Sequence, residues 1–192
     1  MIVLASASPR RKMLLESAGV TFRVETEPID ETQQAGETPL QYVRRLSCKK
    51  AQAISHRHVA EKIFVIAADT IVVHEGVILG KPADAQEAHA TLRRLSDTVH
   101  TVMTGVCVID VARRHTKQFV CETRVHFAAL SDEGIAQYIK TGEPLDKAGA
   151  YGIQGRAAMF VTQIEGSYTN VVGLPLCETL RALENLSAIR CL

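Results

Sequence analysis

The run Ile63-Phe64-Val65-Ile66-Ala67-Ala68 constrains this chain more than any other stretch. It reads as the most buried strand, ending at Asp69-Thr70 and resuming as Ile71-Val72-Val73. A carboxylate between two apolar runs is costly unless it is paired or holds a cation. A salt bridge or a helix cap would satisfy it. An acid at the C-terminal end of a buried strand is also where α/β proteins place chemistry, which makes Asp69 a candidate functional residue.

The N-terminus has the form strand, tight turn, helix. Ile2, Val3 and Leu4 suit a short buried strand, and Ser8-Pro9 reads as an N-cap followed by proline at the first helical position. Met13, Leu14, Leu15 and Ala18 then give an apolar side, and Gly19 a stop. Arg10 and Arg11 fall in the first helical turn, where cations oppose the helix dipole. With Ser8 and free backbone N–H groups they could form a phosphate cradle. A solvated basic helix start is the alternative.

Downstream, Val20–Val24 alternates as a strand, and residues 25–37 form an acidic loop carrying Asp30 and Glu31. Thr38-Pro39 opens a helix over 39–55 by the same cap-and-proline logic. Leu40, Tyr42, Val43, Leu46, Ala51, Ala53 and Ile54 define its apolar face, and Lys50 falls near the centre of that stripe. Such a lysine either snorkels to water or projects toward an anion in a cleft. His56 and His58 read as surface residues. His74-Glu75-Gly76 reads as a hairpin turn, and Gly80-Lys81-Pro82 is too short for a P-loop. Asp84 with Glu87 makes a capping box. Residues 99–111 and 118–130 form a long antiparallel hairpin, and Ser131 caps a short helix.

The stretch 142–155, with Gly142, Gly149, Gly152 and Gly155, is too patterned for a linker, and loops of this length tend to be functional. A strand over Met159–Ile164 and a last helix carrying Leu176, Leu180, Leu183 and Leu186 complete the reading. Helices and strands intermix throughout, so the fold class is α/β with a mixed central sheet flanked by helices and an antiparallel insertion.

Composition excludes several classes. A net charge of +1 over 192 residues argues against a nucleic-acid polymer or membrane surface as partner. The five cysteines are scattered without a C-x-x-C, so neither a disulfide framework nor a zinc site is expected, and no cysteine has a marked partner. The run before Ala5-Ser6-Ala7 is too short and lacks a basic flank for a signal peptide, and no stretch is long enough to span a membrane, so a cytoplasmic location is expected. The candidate set is then Ser8, Arg10, Arg11, Glu31, Lys50, Asp69, Lys81 and the glycine-rich loop around Gln154. Cations to neutralise phosphate oxygens and carboxylates to hold Mg²⁺ or Mn²⁺ fit metal-assisted chemistry on a polyphosphate.

These motifs in order, Leu4-Ala5-Ser6-Ala7-Ser8-Pro9-Arg10-Arg11, Asp30-Glu31, Lys50-Ala51, Ala68-Asp69-Thr70, Gly80-Lys81-Pro82 and Val172-Gly173-Leu174-Pro175, resemble the Maf family of nucleoside triphosphate pyrophosphatases over nearly the whole chain. The resemblance implies one domain over 1–192 made of two lobes with a cleft, a fold related to inosine triphosphate pyrophosphatases, and dependence on a divalent metal (Mg²⁺ or Mn²⁺). It implies Asp69 as catalytic proton acceptor and metal ligand, Glu31 as a metal or water ligand, and Ser8, Arg11, Lys50 and Lys81 as phosphate-binding residues. Arg10, Thr70 and Gln154 correspond to positions that set substrate choice and resemble the dTTP/UTP branch rather than the 7-methyl-GTP branch. An amide such as Gln154 suits a neutral pyrimidine edge, whereas a cationic 7-methylguanine suits an aromatic ring. Ser47-Cys48 depart from the small apolar residues usual in the family. A nucleotide-binding regulator of cell division is the reading from another class, and a homodimer is expected by analogy with the family.

Overall fold

A computed structural model describes residues 1–59 and 61–190 of the chain. It contains β1 (Ile2–Leu4), α1 (Pro9–Ser17), β2 (Phe22–Val24), α2 (Pro39–Ser55), β3 (Phe64–His74), β4 (Val77–Leu79) and α3 (Ala85–Leu95). There follow β5 (Val99–Asp110), β6 (His115–Phe127), α4 (Asp132–Ile139), β7 (Val161–Glu165), α5 (Tyr168–Val172) and α6 (Leu176–Asn185). The strands hydrogen-bond in the order β2-β1-β3-β5-β6-β7, with β4 paired to β3. β1 runs parallel to both neighbours, Ile2 facing Phe22 on one side and Phe64 on the other, whereas β4 and β7 pair antiparallel. The α/β class with a mixed sheet therefore holds.

The chain divides into two units, one formed by Met1–Asp69, Thr104–Cys121 and Gly173–Leu192, the other by Thr70–Met103 and Glu122–Val172. In the first, Val3, Ala5, Val65 and Ala67 of the sheet pack with Ala51 and Ile54 of α2 and with Cys107 and Ile109 of β5. The approach of α2 to β5 is close: a Cβ on Gly105 would collide with the Val43 carbonyl. Only glycine admits that contact. In the second unit His100, Phe127 and Tyr151 pack edge to face, with centroids 4.9–5.3 Å apart. Phe160 and Tyr138 extend this cluster.

Helix starts follow their local chemistry. Ser8 Oγ accepts from the Arg11 N–H, Thr38 and Gln41 form a reciprocal capping box, and Asp84 and Ser131 cap α3 and α4. The Glu87 carboxylate accepts from Ala83 N–H rather than that of Asp84, so the expected box is shifted by one residue.

Several expectations are corrected. β3 does not end at Asp69 but continues to His74, because the carboxylate finds a partner without a break in the strand. β6 begins at His115, leaving a shorter turn than expected, with Arg114 at φ 52°. The 142–155 stretch contains 3₁₀ turns over Glu143–Asp146 and Ala148–Ala150, and Arg156–Phe160 is a third, so β7 starts at Val161 rather than Met159. β2 is confined to Phe22–Val24, and α5 was not expected. Met13 and Leu40 lie exposed rather than on their helices' buried faces. His58 is no bare surface residue: its side chain is 12% exposed, between Glu25 and Glu61 at 2.9 Å each. The bond to Glu25, then that to Glu61, raises its pKa. Among the described residues, no helix is long and apolar enough to cross a membrane.

Candidate active site

The first unit carries a charge cluster. β3 carries Asp69 into the interior, where it is 7% exposed. The mid-stripe lysine of α2 meets it there: Lys50 Nζ donates to Asp69 Oδ1 at 2.6 Å and pairs with Glu31 Oε1 at 2.8 Å. So the lysine projects toward carboxylates. Asp69 Oδ2 has no protein partner among the described residues. Glu31 is presented by the acidic loop, and that loop is pinned by α2. Tyr42 Oη donates to the Glu31 carbonyl at 2.9 Å, and Arg45 donates to the Thr32 carbonyl and, through Nε and Nη2, to both oxygens of Glu37. The Arg45 fork holds Glu37 down at a pKa of about 2. Burial raises the Tyr42 hydroxyl, and the negative charges of Asp69 and Glu31 add to that shift.

The N-terminal turn supplies the other cation. Arg11 Nε donates to the Gly173 carbonyl at 2.7 Å, and Nη1 to Ser6 Oγ at 3.1 Å. Ser6 Oγ also accepts from the Ser8 N–H, so a single hydroxyl orders both the turn and the guanidinium. Burial lowers the Arg11 pKa, the Asp69 charge opposes this, Arg10 reinforces it, and Glu31 opposes it. Arg11 thus lies in the field of the same carboxylates that Lys50 bridges. Ser8 Oγ accepts the helix-cap bond from the Arg11 N–H, and its hydroxyl also carries an O–H donor. Arg10 is half-buried.

Thr70, Lys81 and Gln154 belong to the second unit. Thr70 follows Asp69 on β3, so the two side chains point to opposite faces of the strand. Lys81 and Gln154 are exposed. The Gly80 carbonyl accepts from Gly149 N–H at 3.0 Å, tying the Gly-Lys-Pro turn to the glycine-rich stretch. Gly149 sits at φ +69° against Val72, whose methyls a Cβ would meet at 2.9 Å. Glu143 holds the stretch together by accepting from Tyr138 Oη and from Arg156 N–H. His100 Nε2 lies 2.8 Å from Tyr151 Oη, and burial pushes His100 down to a pKa of about 3.

Sequence reasoning missed Ser6, Tyr42, Glu143 and the Gly173 carbonyl. For Ser6 and Gly173 the motifs themselves were visible, and only their partnership with Arg11 was not. The cysteines also need correction: Cys48 and Cys107 are partners, their sulfurs 3.1 Å apart.

The donor set can be tested against a divalent cation. Among the described residues no group of three or more His, Cys, Asp or Glu side chains is arranged to hold a metal ion. Glu31 and Asp69 nevertheless converge within hydrogen-bonding distance of one ammonium. Two carboxylates, with phosphate oxygens and water completing the shell, is how Mg²⁺ is usually bound beside a nucleotide. The residues fit such an ion.

Residues 1–186 match the family described as Maf-like protein. A dTTP/UTP pyrophosphatase of Geobacter sp. (strain M21) is 51% identical over 188 residues, covering 98% of this chain and 96% of that protein. The protein of the same name from Shigella dysenteriae serotype 1 (strain Sd197) is 49% identical over 189 residues, covering 98% and 94%. Among solved structures, the Staphylococcus aureus Ham1 protein aligns over 97% of this chain and 98% of its own at 15% identity, with a TM-score of 0.49, too distant to bear on the site. On the family match and on relatives this similar over nearly their whole length, the chain belongs to the Maf family.

Proposed function

We propose that this chain hydrolyses dTTP and UTP to the nucleoside monophosphate and pyrophosphate with a divalent metal. The observation that carries the reading is the Lys50 ammonium clamped between Asp69 and Glu31. The names borne by relatives of about half-identical sequence support the substrate class.

Asp69 is the proton acceptor in this reading. Its Oδ1 is held by Lys50, and its Oδ2 takes the proton of the water that attacks phosphorus. Lys50 keeps that carboxylate aimed and adds positive charge beside the phosphates. Arg11, fixed in advance by Ser6 and Gly173, stabilises charge developing on phosphate oxygens without reorganising. A Mg²⁺ or Mn²⁺ ion held by Glu31 and Asp69 would supply further positive charge to the same oxygens. Ser8 and Lys81 complete the phosphate-binding set, and Arg10, Thr70 and Gln154 select the pyrimidine nucleotide.

Pyrophosphate release from dTTP, UTP, CTP and 7-methyl-GTP, with Mg²⁺, with Mn²⁺ and with chelator, tests this. Fast turnover of dTTP and UTP that chelation abolishes is expected. Preference for 7-methyl-GTP would overturn the substrate choice, and nucleotide binding with no turnover would favour a regulator. Asp69→Asn should lower kcat by at least about a hundredfold, as loss of a general base does, while nucleotide binding persists. Near-normal turnover would remove Asp69 from that role.

A further inference from the structure

The described thiols include one close pair outside the charge cluster. Cys48 lies on α2 and Cys107 on β5, 59 residues apart in sequence, with their sulfurs 3.1 Å apart in an S–H···S contact. Two rigid elements hold them there. Gly105 precedes Cys107 by two residues and so shares its face of the strand. Its missing side chain lets α2 approach until the Val43 carbonyl and Ser47 Oγ lie against the strand. Cys48, the next residue of the helix, is thereby set down on Cys107. Cys107 is fully buried, whereas Cys48 is partly exposed.

We propose that Cys48 and Cys107 form a peroxide-reactive thiol pair that closes reversibly to a disulfide. The accessible Cys48 thiolate attacks a peroxide oxygen. The O–O bond breaks, Cys48 is oxidised to sulfenic acid, and the departing oxygen leaves as hydroxide and takes up a proton as water. The Cys107 sulfur then attacks the Cys48 sulfur. The S–S bond forms, the S–O bond breaks, and hydroxide leaves with the Cys107 proton as a second water. Two thiols and one hydrogen peroxide thus become one disulfide and two waters. From 3.1 Å the sulfurs need to close only about 1 Å to reach a bond of about 2.05 Å. The order of attack follows from exposure, and the thiol chemistry agrees. The Cys107 S–H lowers the Cys48 pKa and Arg44 adds to this, while burial opposes it. Cys107 is raised, first by its bond to Cys48 and then by burial.

Exposed Cys177 provides an internal comparison. The intact chain is treated with hydrogen peroxide in the presence of dimedone, digested without reduction and mapped by mass spectrometry. The wild type should yield a linked Cys48–Cys107 peptide pair that dithiothreitol separates, with no dimedone adduct at Cys48. Cys107→Ser should trap the sulfenic acid, giving a dimedone adduct at Cys48. Cys107→Ala serves the same purpose should the serine variant not fold. The oxidised wild type should also melt at higher temperature than the reduced protein, a shift that Cys48→Ser abolishes. A wild type in which Cys177 is oxidised while Cys48 and Cys107 stay reduced would overturn the proposal. So would a dimedone adduct on wild-type Cys48 without the linked peptides.

Discussion

Replacing Lys50 by methionine tests the centre of the site most directly, because methionine keeps much of the aliphatic stem and removes only the ammonium. Asp69, with a side chain 10% exposed, loses a charge-assisted hydrogen bond of 2.6 Å. Such bonds contribute about 1.5–3 kcal/mol. Glu31 is 55% exposed at the side chain, so its bond to Lys50 is screened and adds at most about 1 kcal/mol. A net loss of about 1.5–4 kcal/mol follows, or a fall in Tm of roughly 3–16 °C for a chain of this size. The variant leaves two converging carboxylates with no ammonium between them. If Glu31 and Asp69 are metal ligands, Mn²⁺ or Mg²⁺ should raise the Tm of Lys50→Met by more than it raises that of the wild type. Scanning calorimetry with and without the ion reads both effects, and the same samples assayed on UTP should show a large loss of kcat. An unchanged Tm together with unchanged turnover would refute the clamp. A metal-induced shift no larger than in the wild type would remove the two carboxylates from metal binding.

Two further outcomes are expected. Gly105→Ala places a methyl against the Val43 carbonyl and should cost about 1–3 kcal/mol by overpacking, read by urea unfolding; a neutral effect would mean that α2 can lift off β5 freely. His100, with a folded pKa of about 3, takes up its proton more readily when unfolded, near pH 6.5. Stability is therefore full above that value and falls as pH drops toward 3, by about 2–3 kcal/mol at pH 4.5, and His100→Phe should flatten this acid slope. An equal slope in the variant would assign the acid loss to other groups.

Much of the scaffold was legible because the signals were local. Ser8-Pro9, Thr38-Pro39, Asp84 and Ser131 mark their helix starts through hydrogen bonds within one turn, and all four sit where the caps form. Lys50 was legible by helical phase alone, since a cation in mid-stripe must find either water or an anion. Its partners were not, because Glu31 and Asp69 come from a loop and a strand 19 residues away on either side. The break expected at Asp69 came from reading a polar pair between two apolar runs as an interruption; with Lys50 pairing the carboxylate, β3 runs on to His74. The Cys48–Cys107 contact had one usable signal. An isolated glycine in a β-branched run such as the one around Gly105 marks close backbone approach. That reading would have brought a helix to β5, though not chosen which one.

The charges in the site bear on the divalent cation proposed to act beside the two basic residues. Arg11 and Lys50 are matched by Asp69 and Glu31, so these four side chains carry no net charge before substrate arrives. A nucleoside triphosphate brings several negative charges, and the ammonium that would meet them is already bonded to two carboxylates. Two results are open to such a cluster. Lys50 can turn from Glu31 to a phosphate oxygen, freeing the exposed carboxylate, or a divalent ion can take both carboxylates and release the ammonium. Either exchange replaces carboxylate–ammonium bonds by phosphate contacts, so the clamp holds Asp69 in place while the site waits. Glu31→Gln separates them. It removes a ligand charge but leaves the Lys50–Asp69 bond intact. If metal exchange governs binding, that variant should need more Mn²⁺ for half-maximal rate, with kcat at saturating ion little changed. If Lys50 release alone governs it, the metal requirement stays put and the KM for UTP moves instead.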